Sequence, residues 1–558
     1  VTDRLQRFVV AGFLAFFLTV SLMSMSGKSA TVDEPKYVAA GYAYLRTGDV
    51  RLNREHPPLM KAIAAALLLP LELDPVAAEG TSRERARGFL FANRLSADRI
   101  LFWGRLPVVL MGTALGWFVF WWSRRLAGPF AGLVALALYV CDPTITAHAQ
   151  LITLDLGLAF FSTLAVYALL RYLGAPHPFN LWRLAFAFAA AVLTKFSALM
   201  LAPIYLTLTA FARMRRGPRG LIGCWARIFP AMAAATLLAA FVAYGFDVRP
   251  AGRPPQSLVA LIERATAPGS ALRRVSLRLA SAVPVPMPDF WKGMLFQTLR
   301  RSGPTGYLLG DEYPGARLAY FPVAFVVKTP AGMLGIVALA AGIFLYRGVG
   351  RGTRSHINPE EWGIALAAAG MFGLSLFYRF NVGIRYILPV YPLLFVAAAT
   401  QIGWVTGLAT RLRTPLLAAT GVLVALVALS SVRSYPHYLA YFNELVGGSK
   451  NGWRYLTNSN LDWGQDLGGL ATYLKRHGIA EVYLEYFGPS PPEYYGIRWK
   501  PVPSGGEVAS RGLPPGVVAM SVTTLMRERT RFGWLLAYQP TTTIGYSIWI
   551  FDLRPEER

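Results

Sequence analysis

The chain has 558 residues, of which 54% are hydrophobic and 15% charged, and its mean hydropathy is +0.41. That composition excludes a disordered chain, a collagen-like fibre and a disulfide-stapled secreted module, and it predicts a protein lying mostly in a membrane. The net charge of +25 does not point to nucleic acid, because the basic residues come in short clusters between apolar runs rather than on one soluble face.

Apolar runs long enough to span occur near 8–26, 105–122, 127–141, 151–173, 181–197, 197–212, 227–246, 322–346, 361–379, 385–408 and 414–432. They predict a polytopic α-helical membrane protein of about eleven spans, some short or tilted. With the N-terminus (Arg4, Arg7) in the cytoplasm, the inner loops receive Arg124 and Arg125, Arg171 and Arg183, then Arg213, Arg215, Arg216 and Arg219. Arg347, Arg351, Arg354, Arg411 and Arg413 follow. Every short inner loop then carries arginine, as the positive-inside rule requires. The first run, with its basic start and Ser29-Ala30 beyond it, also loosely fits a secretory signal, but its length favours a retained helix. Cys141 and Cys224 fall at opposite membrane faces in this topology and read as packing residues.

Three segments fall on the outer side: loops of about 27–104 and 247–321, and the tail from 433. Residues 1–432 therefore read as a transmembrane module and 433–558 as a soluble domain. The tail carries 13 basic and 11 acidic residues, with strand-like runs at 481–487, 516–523 and 543–551 and a helix at 465–477 stopped by Gly478, which predicts a small α/β domain. In the second loop, 258–282 alternates apolar residues with Arg264, Arg273, Arg274 and Arg278 and suits a helix in the interface plane.

Just after the first span, TVDEPKY places Asp33 and Glu34 at the lipid–water boundary. Carboxylates there are costly unless paired or used. Both also suit a helix N-terminus with Pro35 in its first turn. Further on, Pro57 and Pro58 start a short apolar helix, too short to span. Its free N–H groups, with Lys61 one turn in and Arg54 and His56 just before, suit a phosphate. A lysine snorkelling to lipid headgroups explains Lys61 equally well.

Asp142, His148, Asp155, Lys195, Lys328 and Arg385 all map to the outer ends of their spans. Structural roles suit each alone, such as helix capping by Asp142 or an ion pair closed by Lys195, but scattered structural residues would not all choose one face. A transporter, such as a lipid-linked sugar flippase, would instead place polar residues near the midplane on broken helices, usually in repeated halves, and no internal repeat is present.

The DE pair, the EHPPLMK stretch, Asp155 early in the fourth span, YFPVAFVVKTP at 320–330, RYILPVYP at 385–392, and YFNELVGG followed by SNLDWGQDL at 441–467 together resemble bacterial membrane enzymes of the glycosyltransferase C superfamily. The branch is that of protein O-mannosyltransferases and lipid A aminoarabinose transferases. The resemblance implies a bacterial plasma-membrane enzyme that moves one sugar, with inversion, from a polyprenyl-phosphate carrier to a protein, lipid or glycan acceptor on the outer face. It implies Asp33 as the base, with Glu34 holding the acceptor or orienting Asp33. Lys61 and Arg385, then Arg54 and Lys195, would hold the carrier phosphate, and Asp155, His56 and Tyr386 would meet sugar or acceptor, with Tyr37 and Tyr391 as further stacking candidates. Asn458, Asn460, Asp462 and Gln465 match the family's tail motif, and Asp462 also suits a cap for the helix behind it. No cofactor is expected, because cations can serve a monophosphate leaving group; a divalent metal remains compatible, although no HxxxH or CxxC spacing is present.

Overall fold

The computed structural model describes residues 3–213, 217–250, 252, 256–299, 305–349 and 357–554. All the predicted apolar runs are helical in it, the conformation that satisfies backbone polar groups within one segment where no water can. Asp3–Ser26, Ala97–Val140, Asp155–Gly174, Arg219–Ala243, Ala331–Val349 and Thr410–Ser434 are long and apolar enough to cross a membrane. The chain is a multi-pass membrane protein. Of the predicted inner-loop arginines, Arg215, Arg216, Arg351 and Arg354 lie outside the described residues.

Ala97–Val140 is a hairpin of two helices. Ala127 and Gly128 leave helical geometry, Gly128 with a φ of +86° that favours glycine, and Tyr139 Oη donates to the Gly112 carbonyl at 2.6 Å. The run 322–346 divides into Tyr320–Lys328 and Ala331–Val349, because Pro330 disfavours helical backbone at Thr329. The single interface helix expected at 258–282 is instead two, Gln256–Ala265 and Ala271–Ala282. Pro268 and Gly269, whose φ is +72°, part them. Cys141 and Cys224 are buried free thiols.

The tail carries a five-stranded sheet in the order Trp499–Pro501, Val482–Glu485, Val517–Ser521, Ile548–Asp552, Thr542–Ile544. The first three strands are parallel and the last two pairings antiparallel. The strand expected at 543–551 is thus a hairpin, turned by Gly545 and Tyr546, both with φ near +60°. The helix Leu467–Arg476 presents Leu467, Leu470 and Leu474 to Val482, Leu484, Val517 and Ile550 on one sheet face, the stripe of an amphipathic helix. Alternate residues Val518, Met520 and Phe551 join the main core.

The tail is joined to the membrane helices beside the DE pair. Ser29 N donates to Gln465 O at 2.9 Å and Val32 N to Trp463 O at 3.1 Å, so the strand of chain leading into Asp33 runs along the SNLDWGQDL loop.

Candidate active site

Asp33 is the residue before the helix Glu34–Thr47, and Pro35 lies in its first turn. The two acids part company there. Glu34 is fully buried, and its carboxylate accepts from Arg105 Nε at 2.8 Å and Nη2 at 2.7 Å, from Thr31 N at 2.8 Å and from Ile152 N at 3.0 Å. Arg105 also donates to the carbonyls of Met25, Lys28 and Ser29. With its lone pairs occupied and no solvent contact, Glu34 cannot hold an acceptor; it fixes the turn on which Asp33 stands. Arg105 escaped the sequence reading, although an arginine at the head of an apolar run was a signal.

Asp33 keeps 30% of its side chain exposed, and its Oδ2 accepts from Arg385 Nη1 at 2.9 Å. The same Nη1 lies 3.4 Å from Asp155 Oδ2, and Lys195 Nζ donates to Asp155 Oδ1 at 2.7 Å. Two carboxylates and two cations thus alternate in one array, drawn from four distant segments. Asp155 opens the helix Asp155–Gly174. Lys195 sits in extended backbone between Pro178–Thr194 and the helical turns after it, where a break frees its side chain to reach sideways. The ring of Tyr386 lies under Lys195 Nζ at 4.6 Å and Arg385 Cζ at 5.3 Å. Trp463 carries the Arg385 guanidinium over its face at 4.2 Å.

Around this array, Arg385 Nε, His56 Nδ1 and His148 Nδ1 are buried without a hydrogen-bond partner. Unpartnered buried polar atoms are uncommon, and three beside one array suit a polar ligand. His56 has its basicity lowered, first by burial and then by the Lys195 and Lys61 charges. Tyr37 has its phenol raised well above the usual value by burial and by the Asp33 charge.

Three sequence expectations change place. Lys61 is buried, and its Nζ donates to Asn53 O at 2.8 Å, Asn53 Oδ1 at 3.3 Å and His56 O at 2.7 Å; burial brings its pKa down to about 7. Its donors tie down the loop before its own helix, and none is left for a phosphate. Arg54 pairs with Asp289 at 3.1 Å, an acid that Arg249 also holds, so it links the two outer loops. Tyr391 is buried with its hydroxyl 2.8 Å from Thr329 Oγ1, a packing role. Asp142 caps Pro143–Ala149 through Ile145 N at 2.9 Å.

The tail motif supports Arg385 from behind. Asn460 Oδ1 accepts from Ile384 N at 2.8 Å, and Asn460 Nδ2 donates to Tyr320 Oη at 3.0 Å. Ser459 Oγ donates to Val382 O at 2.7 Å, an approach that only a glycine at 383 allows, since a β-carbon there would overlap Ser459 Oγ. Lys328, buried, donates to Asn460 O at 2.6 Å and Leu439 O at 2.9 Å. Asp462 does not cap the following helix, which begins after Asp466. It binds Ser521 Oγ and Thr523 N instead, and burial raises its pKa to about 7. Gln465 braces the loop through Trp463 N and Leu461 O. Asn458 adopts a φ of 59°, a left-handed turn that asparagine tolerates.

Among the described residues, no three His, Cys, Asp or Glu side chains converge as metal ligands.

Residues 94–245 match the family model of dolichyl-phosphate-mannose-protein mannosyltransferases. The fold is similar to that of the Archaeoglobus fulgidus oligosaccharyltransferase in the apo form, with 12% identity over 95% of this chain and 72% of that one and a TM-score of 0.51. It is also similar to the S. cerevisiae protein O-mannosyltransferase Pmt1-Pmt2 complex bound to the sugar donor, with 11% identity over 78% and 90% of the two chains and a TM-score of 0.51. ArnT from Cupriavidus metallidurans bound to undecaprenyl phosphate aligns over 97% of both chains at 16% identity and a TM-score of 0.47. No curated protein sequence matches the chain. The protein shares the fold of the yeast and archaeal enzymes, and residues 94–245 match the family model of the mannosyltransferases.

Proposed function

We propose that the protein is an inverting glycosyltransferase that moves one sugar from a polyprenyl-phosphate carrier to an acceptor on the outer face of a bacterial plasma membrane. The observation that carries this reading is the contact between Asp33 and Arg385, a half-open carboxylate one hydrogen bond from a buried cation. In the reaction, an acceptor oxygen attacks the anomeric carbon and gives its proton to the free oxygen of Asp33. The bond from that carbon to the carrier phosphate breaks, and the electron pair leaves on the phosphate oxygen. Arg385 and Lys195 stabilise that growing charge, which lets side chains serve where a nucleotide-sugar enzyme uses a divalent ion. At rest each cation is neutralised by Asp33 or Asp155, so no unbalanced charge waits in the site for the donor.

The test is transfer by the purified protein in liposomes supplied with polyprenyl-phosphate-linked sugars. It is paired with mass spectrometry of envelope glycans and glycoproteins from cells with and without the protein. Transfer from the monophosphate carrier, and loss of one sugar from one acceptor in the deleted cells, is the expected outcome. Movement of intact carrier across the bilayer with no sugar released from it would replace this reading with a flippase.

A further inference from the structure

The tail carries a groove of about 680 Å³ apart from the Asp33 array, walled by the turn at 449–454, by residues 536–540 and by the last two strands of the sheet with the turn between them. That volume lies within the roughly 300–1,000 Å³ usual for small-ligand sites. Its aromatic residues are Trp453, Tyr538, Tyr546 and Trp549. Trp453 and Trp549 meet edge to face with centroids 5.4 Å apart, which fixes both rings, while Tyr538 stands 37% exposed at the rim.

We infer that this groove binds an acidic oligosaccharide and is the acceptor-docking site of the transferase. Aromatic faces carry negative charge density and attract the polarised C–H bonds on the flat faces of pyranose rings. Gln539, Thr542 and Thr543 on the same wall supply the donors and acceptors that sugar hydroxyls need, which a groove for an apolar peptide or lipid chain lacks. The charge selects further. Lys450 and Arg454 line the groove and no Asp or Glu does. Both are exposed, and neither has a carboxylate partner among the described residues. The Arg454 guanidinium lies over the Trp453 ring at 5.3 Å and so is held at the groove wall; a neutral glycan leaves both cations without a counter-charge, and a carboxylated or phosphorylated one pairs with both.

The groove is also wired to the segment that bears Asp33. Tyr546 packs edge-on against His437 at 5.8 Å, and His437 Nδ1 lies 2.7 Å from Lys28 Nζ, five residues ahead of Asp33. Lys28 in turn donates to Asp466 at 2.6 Å, and Asp466 accepts from Ser547 Oγ at 2.7 Å, in the strand turn that carries Tyr546. A saccharide seated there is therefore held by the element that is fastened to the catalytic segment.

The role as acceptor site rests on the transferase reading, but the binding is measured without any donor, so the two fail separately. The experiment titrates the full-length protein in nanodiscs with tetragalacturonate, maltotetraose and tetraglutamate, following tryptophan fluorescence and heat. Tetragalacturonate should bind at least tenfold more tightly than either the neutral sugar or the acidic peptide. Tyr538→Ala and Lys450→Glu, both at exposed positions that the fold tolerates, should each weaken it about tenfold, a free-energy change near 1.4 kcal/mol. Absence of tetragalacturonate binding, equal binding of maltotetraose or tetraglutamate, or unchanged affinity in both variants overturns the inference. None of these results touches the transfer of sugar from the lipid carrier.

Discussion

Arg385 Nη1 donates to Asp33 Oδ2 at 2.9 Å, although 352 residues separate the two in sequence. The contact leaves the second oxygen of Asp33 uncommitted on a side chain that is 30% exposed, while every neighbouring carboxylate is fully engaged. A base needs one reachable oxygen and a fixed orientation, and this pair supplies both.

Asp33→Asn preserves the size of the side chain and a contact to Arg385 but cannot take a proton. Turnover should fall by about two orders of magnitude or more, with carrier binding retained. The check is single-turnover transfer alongside binding of labelled polyprenyl phosphate. Near-normal transfer would falsify the assignment of Asp33 as base.

Glu34→Gln should act on stability. The amide keeps the shape but leaves Arg105 charged and buried without its counter-ion, a loss of about 3–5 kcal/mol for broken buried pairs. Thermal unfolding in detergent should show a drop of many degrees. A variant with the parent's melting temperature and no turnover would place Glu34 in the chemistry instead.

Asn460 should act on rate from outside the array. Asn460→Ala removes the acceptor for Ile384 N–H and the donor to Tyr320, loosening the segment that aims Arg385. A fall in kcat of about tenfold with little change in KM is expected, since a misaimed cation costs more in the transition state than in binding. If KM rises while kcat holds, the tail loop shapes the donor pocket rather than aiming Arg385.

The sequence made the apolar helices, the DE pair and the grouping of Asp155, Lys195 and Arg385 readable, because hydropathy and charge position are one-dimensional signals. The residues by themselves did not separate Asp33 from Glu34; only the family resemblance implied Asp33 as the base. Adjacent acids look alike until the helix start turns one toward Arg105 and the other toward Arg385. Lys61 misled for a related reason: a lysine after Pro-Pro looks free, and only the fold shows that Asn53 and His56 occupy its amine. The hairpin turned by Gly545 and Tyr546 was missed because a tyrosine with φ of 64° carries no turn signal of its own.

The tail and Asp33 should share the outer face. The Ser29–Val32 segment is fastened to the tail loop at Trp463 and Gln465 by backbone hydrogen bonds, and the helix that follows that loop packs on the sheet, so the two cannot lie on opposite sides. A cysteine at the exposed position Arg498 should react with an impermeant maleimide in intact cells whose outer membrane is opened. Labelling only after the cytoplasm is exposed would invert the topology and carry the active site inward.

The departing phosphate gives the sharpest test of the array. Negative charge grows on the bridging oxygen as the glycosidic bond breaks, so cations against it matter more in the transition state than in donor binding. Arg385 and Lys195 are the two that meet at Asp155, whereas Lys61 has its donors occupied. Arg385→Gln and Lys195→Met should each lower kcat by about tenfold or more with a smaller change in apparent donor affinity. The double variant should lose less than the product of the two, because both cations act on one phosphate and share Asp155. Lys61→Met should instead weaken the fold, since it strips the loop carbonyls of Asn53 and His56 of their donor, and its surviving folded fraction should turn over at close to the parental kcat. Should Lys61→Met cut kcat in fully folded protein while Lys195→Met leaves it intact, the leaving group sits against the short helix after Pro58, and Asp155 holds Lys195 for structure alone.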